Sequence, residues 1–481
     1  MEHPLSRRIA DVFALDPGAR ALQFDDDWFT WGQVAGLARR IGDLGGTRCV
    51  GIMLRNEPAH VAALLGVLAA GGTVVVINPA RGDERTRADV AALQLPVLVG
   101  LASDLEALAP STDATTVAIA DLDTAPTVTE GTGGSVAERP GVAVWMLTSG
   151  TTGTPKRVDL TYDMLARSVI GTDPHNAPAP TALRDGVAIM NSPLVHVGGV
   201  FRVLLCIAEA RPFVLLRRFD LDQWVRAVRE HRPRAVSLVP AALRMVLHSE
   251  VTREDLAGVR AVTCGTAPLS ADDADAFTEK FGIPVLTSYA ATEFGGGVAG
   301  WTLADHREFW HAKRGSVGRA NPGAQLRVVD ESGRALGPDQ PGLLEVKPAQ
   351  LGPGADWIRT TDLARLDADG FLWILGRADQ AIIRGGFKVL PDDVRAALES
   401  HPAVAGAAVI GTPDPRLGET PVALVELRDG ATADADTLTA YLGSRLARYE
   451  IPTQIVVVDT IPRTPSGKPD LTAVRSYFAS V

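Results

Sequence analysis

Up to about residue 290, apolar and polar positions follow each other in the rhythm of amphipathic helices and short buried strands. The spacing of apolar residues predicts helices over Trp31 to Leu44 and Ala59 to Ala70, and apolar runs predict strands over Cys49 to Leu54 and Val74 to Ile77. The same rhythm resumes between Val187 and Ser288. This alternation predicts an α/β fold with a large N-terminal body of doubly wound sheets, whose ligands lie at the carboxyl ends of the strands.

The pattern changes twice further along the chain. After about Arg314, short β segments separated by turns, among them the hairpin signal Asp367-Ala368-Asp369-Gly370, predict a small β subdomain at about 315–376. After Arg377, mixed helix and strand patterns predict a mobile α+β C-terminal domain. We therefore expect a large domain over 1–378 and a small one over 379–481. The polar, glycine-rich stretch from Thr127 to Ser135 predicts an exposed loop.

Composition narrows the class of protein. The chain has 481 residues, 46% of them hydrophobic and 22% charged, as in soluble proteins of more than one domain. Its net charge of −10 argues against nucleic acid as a partner. Three widely spaced cysteines fit a reducing compartment, and the uncharged run Val61 to Ile77 is short for a bilayer and broken by Gly71-Gly72. We expect a cytoplasmic protein with no membrane span and no signal peptide.

A phosphate-binding loop is the strongest candidate for chemistry. The sequence TSGTTGTPK follows the apolar run Val142 to Leu147 and offers backbone N–H groups, hydroxyls and one lysine to an anion. The common NTPase loop is excluded, because Pro155 precedes the lysine and Arg157 follows it. A glycine- and threonine-rich turn without a ligand is the alternative. The predicted nucleotide-binding residues here are Thr148, Ser149, Gly150, Thr151, Thr152, Gly153, Thr154 and Lys156.

Three further motifs carry groups that suit a nucleotide. In Tyr289-Ala290-Ala291-Thr292-Glu293, an aromatic ring can cover a purine, while a hydroxyl and a carboxylate can hold a phosphate and Mg²⁺. Asp362, in RTTD, offers a carboxylate that can accept two hydroxyls, and Lys468, in PRTPSGK, supplies a cation. The alternative interpretation of each motif is an exposed polar turn that binds no ligand. Gly295, Gly297 and Gly300 match G-x-G-x-x-G, but they do not lie between a strand and its helix, which argues against dinucleotide binding.

Taken in order, these motifs resemble those of the adenylate-forming superfamily, which comprises acyl- and aryl-CoA ligases, adenylation domains of peptide synthetases, and luciferases. The chain looks most like a carboxylic acid–CoA ligase. The resemblance implies that a carboxylic acid and Mg-ATP give an acyl-adenylate and pyrophosphate, and that a thiol, most often that of coenzyme A, then displaces AMP. The chain departs from the family pattern at several positions. Among them are Arg157, Tyr162, Thr266 and Ala290, where relatives usually carry Gly, His, Gly and Gly, and Pro469-Asp470 after the lysine.

The resemblance also implies roles for individual residues. Lys468 bridges the carboxylate and the α-phosphate, Thr292 and Glu293 act at the phosphates, and Glu293 and Thr151 hold the metal. Arg377 contacts ribose and phosphate, and Asp379 is the hinge about which the small domain rotates. The remaining predicted contacts are Gly265, Thr266, Ala267, Pro268, Ser288, Tyr289, Ala290 and Asp362 for ATP; His196, Ser237, Cys264, Gly295 and Gly296 for the acid; and Gly385, Gly386 and Lys388 for the thioester-forming state.

Substrate and acceptor remain open at this stage. Ser192 to Gly199 contains no carboxylate to hold an ammonium group, which favours an acid without an α-amine. His196 is either a gate to the acid pocket or a structural residue. The acceptor is coenzyme A, the phosphopantetheine arm of a carrier protein, or a nitrogen nucleophile. A non-catalytic nucleotide sensor is the alternative from another class. We expect the protein to be a monomer or a homodimer.

Overall fold

The computed structural model describes residues 2–148, 156–384, 387–464 and 467–479, without the side chains of Thr148, Lys156 and Lys388. Within these ranges the α-helices are α1 (Pro4–Leu15), α2 (Trp31–Gly45), α3 (Pro58–Ala69), α4 (Asp83–Leu93), α5 (Ala102–Leu108), α6 (Tyr162–Val169), α7 (Val197–Ala208), α8 (Leu221–His231), α9 (Pro240–His248), α10 (Ala271–Phe281), α11 (Leu303–Phe309), α12 (Pro391–Glu399), α13 (Ala435–Leu442) and α14 (Leu471–Ala479).

The strands of the N-terminal body are β1 (Arg20–Phe24), β2 (Asp27–Thr30), β3 (Cys49–Met53), β4 (Thr73–Ile77), β5 (Val97–Gly100), β6 (Thr115–Ala118), β7 (Thr127–Thr129), β8 (Val142–Thr148), β9 (Lys156–Thr161), β10 (Ala188–Met190), β11 (Phe213–Leu215), β12 (Ala235–Leu238), β13 (Ala261–Cys264), β14 (Val285–Ala291), β15 (Gly296–Gly300) and β16 (Arg319–Ala320). Those that follow are β17 (Gln325–Val329), β18 (Gly342–Lys347), β19 (Ile358–Leu366), β20 (Leu372–Arg377), β21 (Ile382–Arg384), β22 (Phe387–Val389), β23 (Val404–Asp414), β24 (Gly418–Leu427) and β25 (Gln454–Val458).

A seven-stranded sheet in the order β7-β6-β5-β3-β4-β8-β9 forms the first half of the body. Every residue of β3 and β4 is buried, so these strands are continuous apolar runs, as parallel strands covered on both faces require. The β8 strand runs parallel to β4 and antiparallel to β9. The predicted phosphate loop therefore lies in sequence between β8, the second strand from the edge, and the edge strand β9.

A five-stranded sheet in the order β12-β13-β14-β15-β16 forms the second half, and its first three strands are parallel. A four-stranded sheet, β10-β11-β1-β2, lies beside these two. Four antiparallel strands, β17 to β20, make the predicted small β subdomain. The mixed α/β architecture with a C-terminal α+β part confirms the predicted fold class.

The C-terminal part is built on β22-β21-β24-β23, with β25 parallel to β24. It meets the body through a buried ion pair. Arg244 on α9 contacts Asp273 of the body at 2.7 Å and Glu399 at the end of α12 at 2.9 Å. All three side chains are 15% exposed or less, so this contact excludes most of the solvent.

Most elements lie where the apolar pattern predicts them. The α2 helix begins at Trp31 because Thr30 and Gln33 form a capping box, with bonds of 3.2 and 2.8 Å. The turn Asp367 to Gly370 joins β19 to β20 as predicted. The prediction of a loop over Thr127 to Ser135 is partly wrong, because Thr127–Thr129 forms an edge strand antiparallel to β6. No helix in the described part of the chain is long and apolar enough to cross a membrane.

Candidate active site

Three predicted ATP contacts meet where the second sheet and the β subdomain join. Tyr289 lies near the end of β14, and its hydroxyl donates a hydrogen bond to the Asp362 carboxylate on β19. Arg377, at the end of β20, lies opposite Asp362 in the strand register. Burial raises the pKa of Asp362, while the Tyr289 hydroxyl and the Arg377 charge oppose that shift. An aromatic ring, a carboxylate and a guanidinium thus share one partly buried corner.

Lys468 reaches this corner from the C-terminal part. Its carbonyl accepts a hydrogen bond from Thr464 N–H at 2.7 Å, and Gly467 N–H donates to the Thr464 carbonyl at 2.8 Å. Burial lowers the pKa of Lys468, as does the charge of Arg377, while Asp362 and Glu293 raise it. The lysine that is most remote in sequence therefore lies within electrostatic reach of the carboxylates that the other motifs supply.

His196 also lies within electrostatic reach of Lys468. Burial, assisted by the Lys468 charge, lowers the pKa of His196 to about 4, so the ring is neutral at neutral pH. Its Nδ1 accepts a hydrogen bond from Gly198 N–H at 3.1 Å and thereby caps α7. The proton of the neutral ring consequently sits on Nε2, which can donate a hydrogen bond to an anion.

Glu293 and Thr292 lie in a short 3-10 turn, Thr292–Phe294, directly after β14. The Glu293 side chain is exposed while Phe294 packs into the core, so the carboxylate faces away from the core. Gly295 ends the turn at φ 69°, and a Cβ there would lie 3.0 Å from Met164 of α6. The absence of side chains at Gly295 and Gly296 thus allows this turn to pack closely against α6 of the first half of the body.

The predicted adenine segment follows β13. A Cβ on Gly265 would lie 2.9 Å from the Ser288 hydroxyl, so these two predicted contacts are adjacent. Thr266 keeps a left-handed φ of 72° although it is β-branched, and Ala267 and Pro268 follow it. Ala290, by contrast, lies in extended β14 opposite Gly297, where alanine fits without strain.

Two of the residues predicted for the acid pocket, Ser237 and Cys264, project from opposite faces of the second sheet. Ser237 on β12 lies beside Thr263 on β13. The neighbouring Cys264 side chain is 2% exposed and packs in the core of the second sheet, on the face opposite to Thr263. Arg202 of α7 donates to the Thr263 hydroxyl at 3.2 Å. Sequence reasoning missed Arg202 and Thr263, although a single charge inside the apolar helix VGGVFRVLLCIA was a usable signal.

Several residues of the predicted site lie outside the described residues. Residues 149–155, with most of the phosphate loop, and Gly385 and Gly386 fall outside the described ranges, as do the side chains of Thr148, Lys156 and Lys388. Asp379, the predicted hinge residue, accepts bonds of 2.9 and 2.7 Å from Arg377.

The structure explains two departures from the family pattern as packing. Arg157 is 8% exposed, pairs with Asp89 at 2.7 Å and donates to the Val76 carbonyl at 3.0 Å. Tyr162 is buried, and its hydroxyl donates to the Gly72 carbonyl at 2.7 Å. Arg157 thus links β9 to β4 and α4, and Tyr162 links α6 to the segment directly before β4.

Known proteins match the whole chain. The model of the AMP-binding enzyme family covers residues 10–354, and that of the AMP-binding enzyme C-terminal domain covers 393–468. Indoleacetate–CoA ligase from Aromatoleum aromaticum is 30% identical, over 99% of this chain and 98% of that enzyme. The amide bond synthetase McbA from Marinactinospora thermotolerans is 26% identical, with a TM-score of 0.79 over 99% of this chain and all of that one.

Two structures of one protein, MatB, are similar to this chain. ATP-bound MatB from Rhodopseudomonas palustris is 26% identical and superposes with a TM-score of 0.83 over 99% of both chains. The apo form of MatB superposes with a TM-score of 0.68. The overall arrangement of this chain is therefore closer to that of the ATP-bound form. With both family models matched in order along its length, the chain belongs to the AMP-binding enzyme family of adenylate-forming acid–thiol ligases.

Proposed function

We propose that this enzyme activates a carboxylic acid lacking an α-amine with Mg-ATP and then transfers the acyl group to the thiol of coenzyme A. In the first step a carboxylate oxygen attacks the α-phosphorus, and the bond to the leaving pyrophosphate breaks. In the second step the thiolate sulfur attacks the acyl carbon and AMP leaves, after the thiol has lost its proton. The observation that carries the proposal is the position of Lys468 among His196, Glu293, Asp362 and Arg377.

Electrostatics favour the first step at this position. Two anions, the carboxylate and the α-phosphate, must approach each other while charge builds on the phosphate oxygens. A preorganised ammonium between them lowers that barrier, because it is held by the protein and needs no reorganisation. His196, neutral and protonated on Nε2, can add a hydrogen bond without adding a second charge.

The nucleoside end of ATP fits the corner made by Tyr289 and Asp362. The ring of Tyr289 offers an apolar face to a base, and Asp362 offers a carboxylate to the two ribose hydroxyls. Mg²⁺ usually binds one or two protein carboxylates and completes its shell with phosphates and water, and the exposed Glu293 carboxylate suits that role. When bound, Mg²⁺ would neutralise charge on the leaving pyrophosphate.

Two observations support the choice of substrate and acceptor. Ser192 to Gly199 offers no carboxylate for an α-ammonium group. The named relative of similar length acts as a CoA ligase, which favours coenzyme A as the acceptor. The similarity to an amide bond synthetase favours one alternative, in which an amine attacks the same acyl-adenylate and an amide forms.

A screen of acids and acceptors tests the proposal. Purified enzyme, ATP and Mg²⁺ are incubated with aryl, fatty, small and α-amino acids, and pyrophosphate release is followed. We expect release with a subset of acids without an α-amine, and a thioester when coenzyme A is added. Amide formation with added amines but no thioester would favour the alternative acceptor. A chain that binds ATP but releases no pyrophosphate with any acid would be the nucleotide sensor.

A further inference from the structure

Arg202 is the only charged residue of α7. Every other residue of VGGVFRVLLCIA is apolar or glycine, and most of the helix packs in the core of the first half of the body. The partly exposed residues of α7 lie on one helical face and are Val197, Gly198, Phe201, Arg202 and Leu205. Arg202 therefore projects from the face of α7 that begins at His196 and turns away from the core.

That face looks toward the second sheet. The Arg202 guanidinium donates to the Thr263 hydroxyl on β13, and Thr263 in turn donates to the Val236 carbonyl at 3.3 Å. Because Val262 and Cys264 are buried in the core, Thr263 projects from the opposite face, beside Ser237. Arg202 thus lies between α7 and β13, at the wall where the acid is expected to bind.

The charge of Arg202 has no balancing partner in the described part of the chain. No carboxylate there lies within 4.0 Å of it, and its one hydrogen bond goes to a neutral hydroxyl. Burial lowers the pKa of Arg202, and Glu209, which opposes the shift, already pairs with Arg211 at 2.8 Å. A guanidinium has five N–H donors, so most of its capacity is unused.

Three other buried arginines have stronger partners than a single hydroxyl. Arg8 donates to the Ala208 and Pro178 carbonyls at 2.9 and 2.7 Å, and the other two contact carboxylates. Arg157 pairs with Asp89 at 2.7 Å, and Arg244 pairs with Asp273 and Glu399. Burying a charge without such a partner is costly, and the cost is offset when a ligand supplies the opposite charge. Arg202 is partly exposed, so a ligand in the cleft can reach it.

We propose that Arg202 binds a second carboxylate at the far end of the acid substrate, so that the enzyme activates one end of a dicarboxylic acid. The inference rests on the proposed function, because it places the reacting carboxylate near Lys468 and His196. Arg202 lies six residues beyond His196, which is about 9 Å along a helix. The two carboxylates must therefore be separated by several bonds, and a guanidinium can hold the distal one through paired, charge-assisted hydrogen bonds.

Matched pairs of acids test the inference. Pyrophosphate release is measured with suberic against octanoic acid, and with 4-carboxycinnamic against cinnamic acid. For the wild-type enzyme we expect the diacid of at least one pair to have the higher kcat/KM. In Arg202→Met we expect kcat/KM for that diacid to fall roughly 30- to 1,000-fold, the loss typical when one partner of a buried charge pair is removed. The monoacid should lose little or gain.

Two further variants separate charge from packing. Arg202→Lys keeps the charge and should retain more diacid activity than Arg202→Met. Arg226→Met removes an exposed arginine on α8 and should leave the diacid-to-monoacid ratio unchanged. If Arg202→Met does not fold, the wild-type ratio and Arg202→Lys decide the matter.

Failure of the role of Arg202 and failure of the proposed function would give different results. Wild-type preference for the monoacid in both pairs, or an unchanged ratio in Arg202→Met, would overturn the role of Arg202 and leave the proposed function intact. No pyrophosphate with any acid, including the monoacids, would instead overturn the proposed function itself.

Discussion

The buried ion pair between the body and the C-terminal part predicts how firmly the two are held together. Glu399 of α12 contacts Arg244 of α9 at 2.9 Å, and each side chain is 13% exposed or less. If the C-terminal part rotates between the two half-reactions, as the family resemblance implies, this contact must break each time. We expect Glu399→Gln to shift the equilibrium away from the arrangement in which Lys468 faces the site.

The size of the shift follows from the other partners of the two residues. Removing one partner from an isolated buried pair costs about 3–5 kcal/mol, because a charge is left unpaired. Here Arg244 keeps Asp273 at 2.7 Å. Arg395, which also pairs with Glu399 at 2.8 Å, keeps Asp392 at 3.1 Å and lies on α12 with Glu399, so the variant leaves neither arginine unpaired. Glutamine also preserves the shape and can still accept a hydrogen bond. The loss is then that of one charge-assisted bond, about 1.5 kcal/mol, or roughly tenfold in the equilibrium.

Single-molecule energy transfer between two introduced cysteines can measure this equilibrium. Ser103 on α5 and Thr439 on α13 are exposed positions in the two parts. The native cysteines Cys49, Cys206 and Cys264 are buried, and burial raises the pKa of each thiol, so they should react slowly with maleimide dyes.

The control is Asp436→Asn, which removes an exposed carboxylate from the same part of the chain without touching the body. We expect the ratio of arrangements to change about tenfold in Glu399→Gln and not in the control. A distance distribution that is the same in wild type and Glu399→Gln would show that the ion pair does not hold the two parts together.

Two predictions concern stability. Thr266→Gly should stabilise the protein by about 0.5–1 kcal/mol, since relief of the left-handed strain exceeds the entropy that glycine adds to the unfolded chain; an unchanged or lower urea midpoint would contradict this. His60 is fully buried, and burial lowers its pKa from 6.5 to about 4, so the unfolded chain binds a proton between these values that the folded chain does not. The free energy of unfolding should therefore decrease as the pH is lowered from 6.5 towards 4. In His60→Leu we expect the slope of this free energy against pH to be smaller by about 1.4 kcal/mol per pH unit near pH 5. Equal slopes for the variant and the wild type in urea unfolding would refute this.

The body of the fold was predictable because its signals are local. Strands such as β3 and β4, buried on both faces, are uninterrupted apolar runs, and α2 carries its own capping box at Thr30. The edge strand Thr127–Thr129 gave no such signal. All three of its residues are exposed, and it is held by backbone pairing to β6, which depends on the rest of the sheet.

The site was predictable to the extent that its residues belong to contiguous motifs. Tyr289, Asp362 and Lys468 were named from short sequences, and the structure brings them together across distant segments. Arg202 and Thr263 meet only through the packing of α7 against β13. The sequence alone did not show that the side chain of Cys264 packs in the core, whereas that of Thr263, one position earlier, projects from the opposite face of β13.

Measuring the two half-reactions separately in Lys468→Ala tests the proposed mechanism most directly. Lys347→Ala, on β18 outside the site, is the matched control. We predict that Lys468→Ala slows acid-dependent pyrophosphate release on the order of 100- to 1,000-fold, while thioester formation from supplied acyl-adenylate and coenzyme A stays within a few fold of wild type. Equal losses in both half-reactions, or unimpaired pyrophosphate release, would contradict the placement of Lys468 at the α-phosphate.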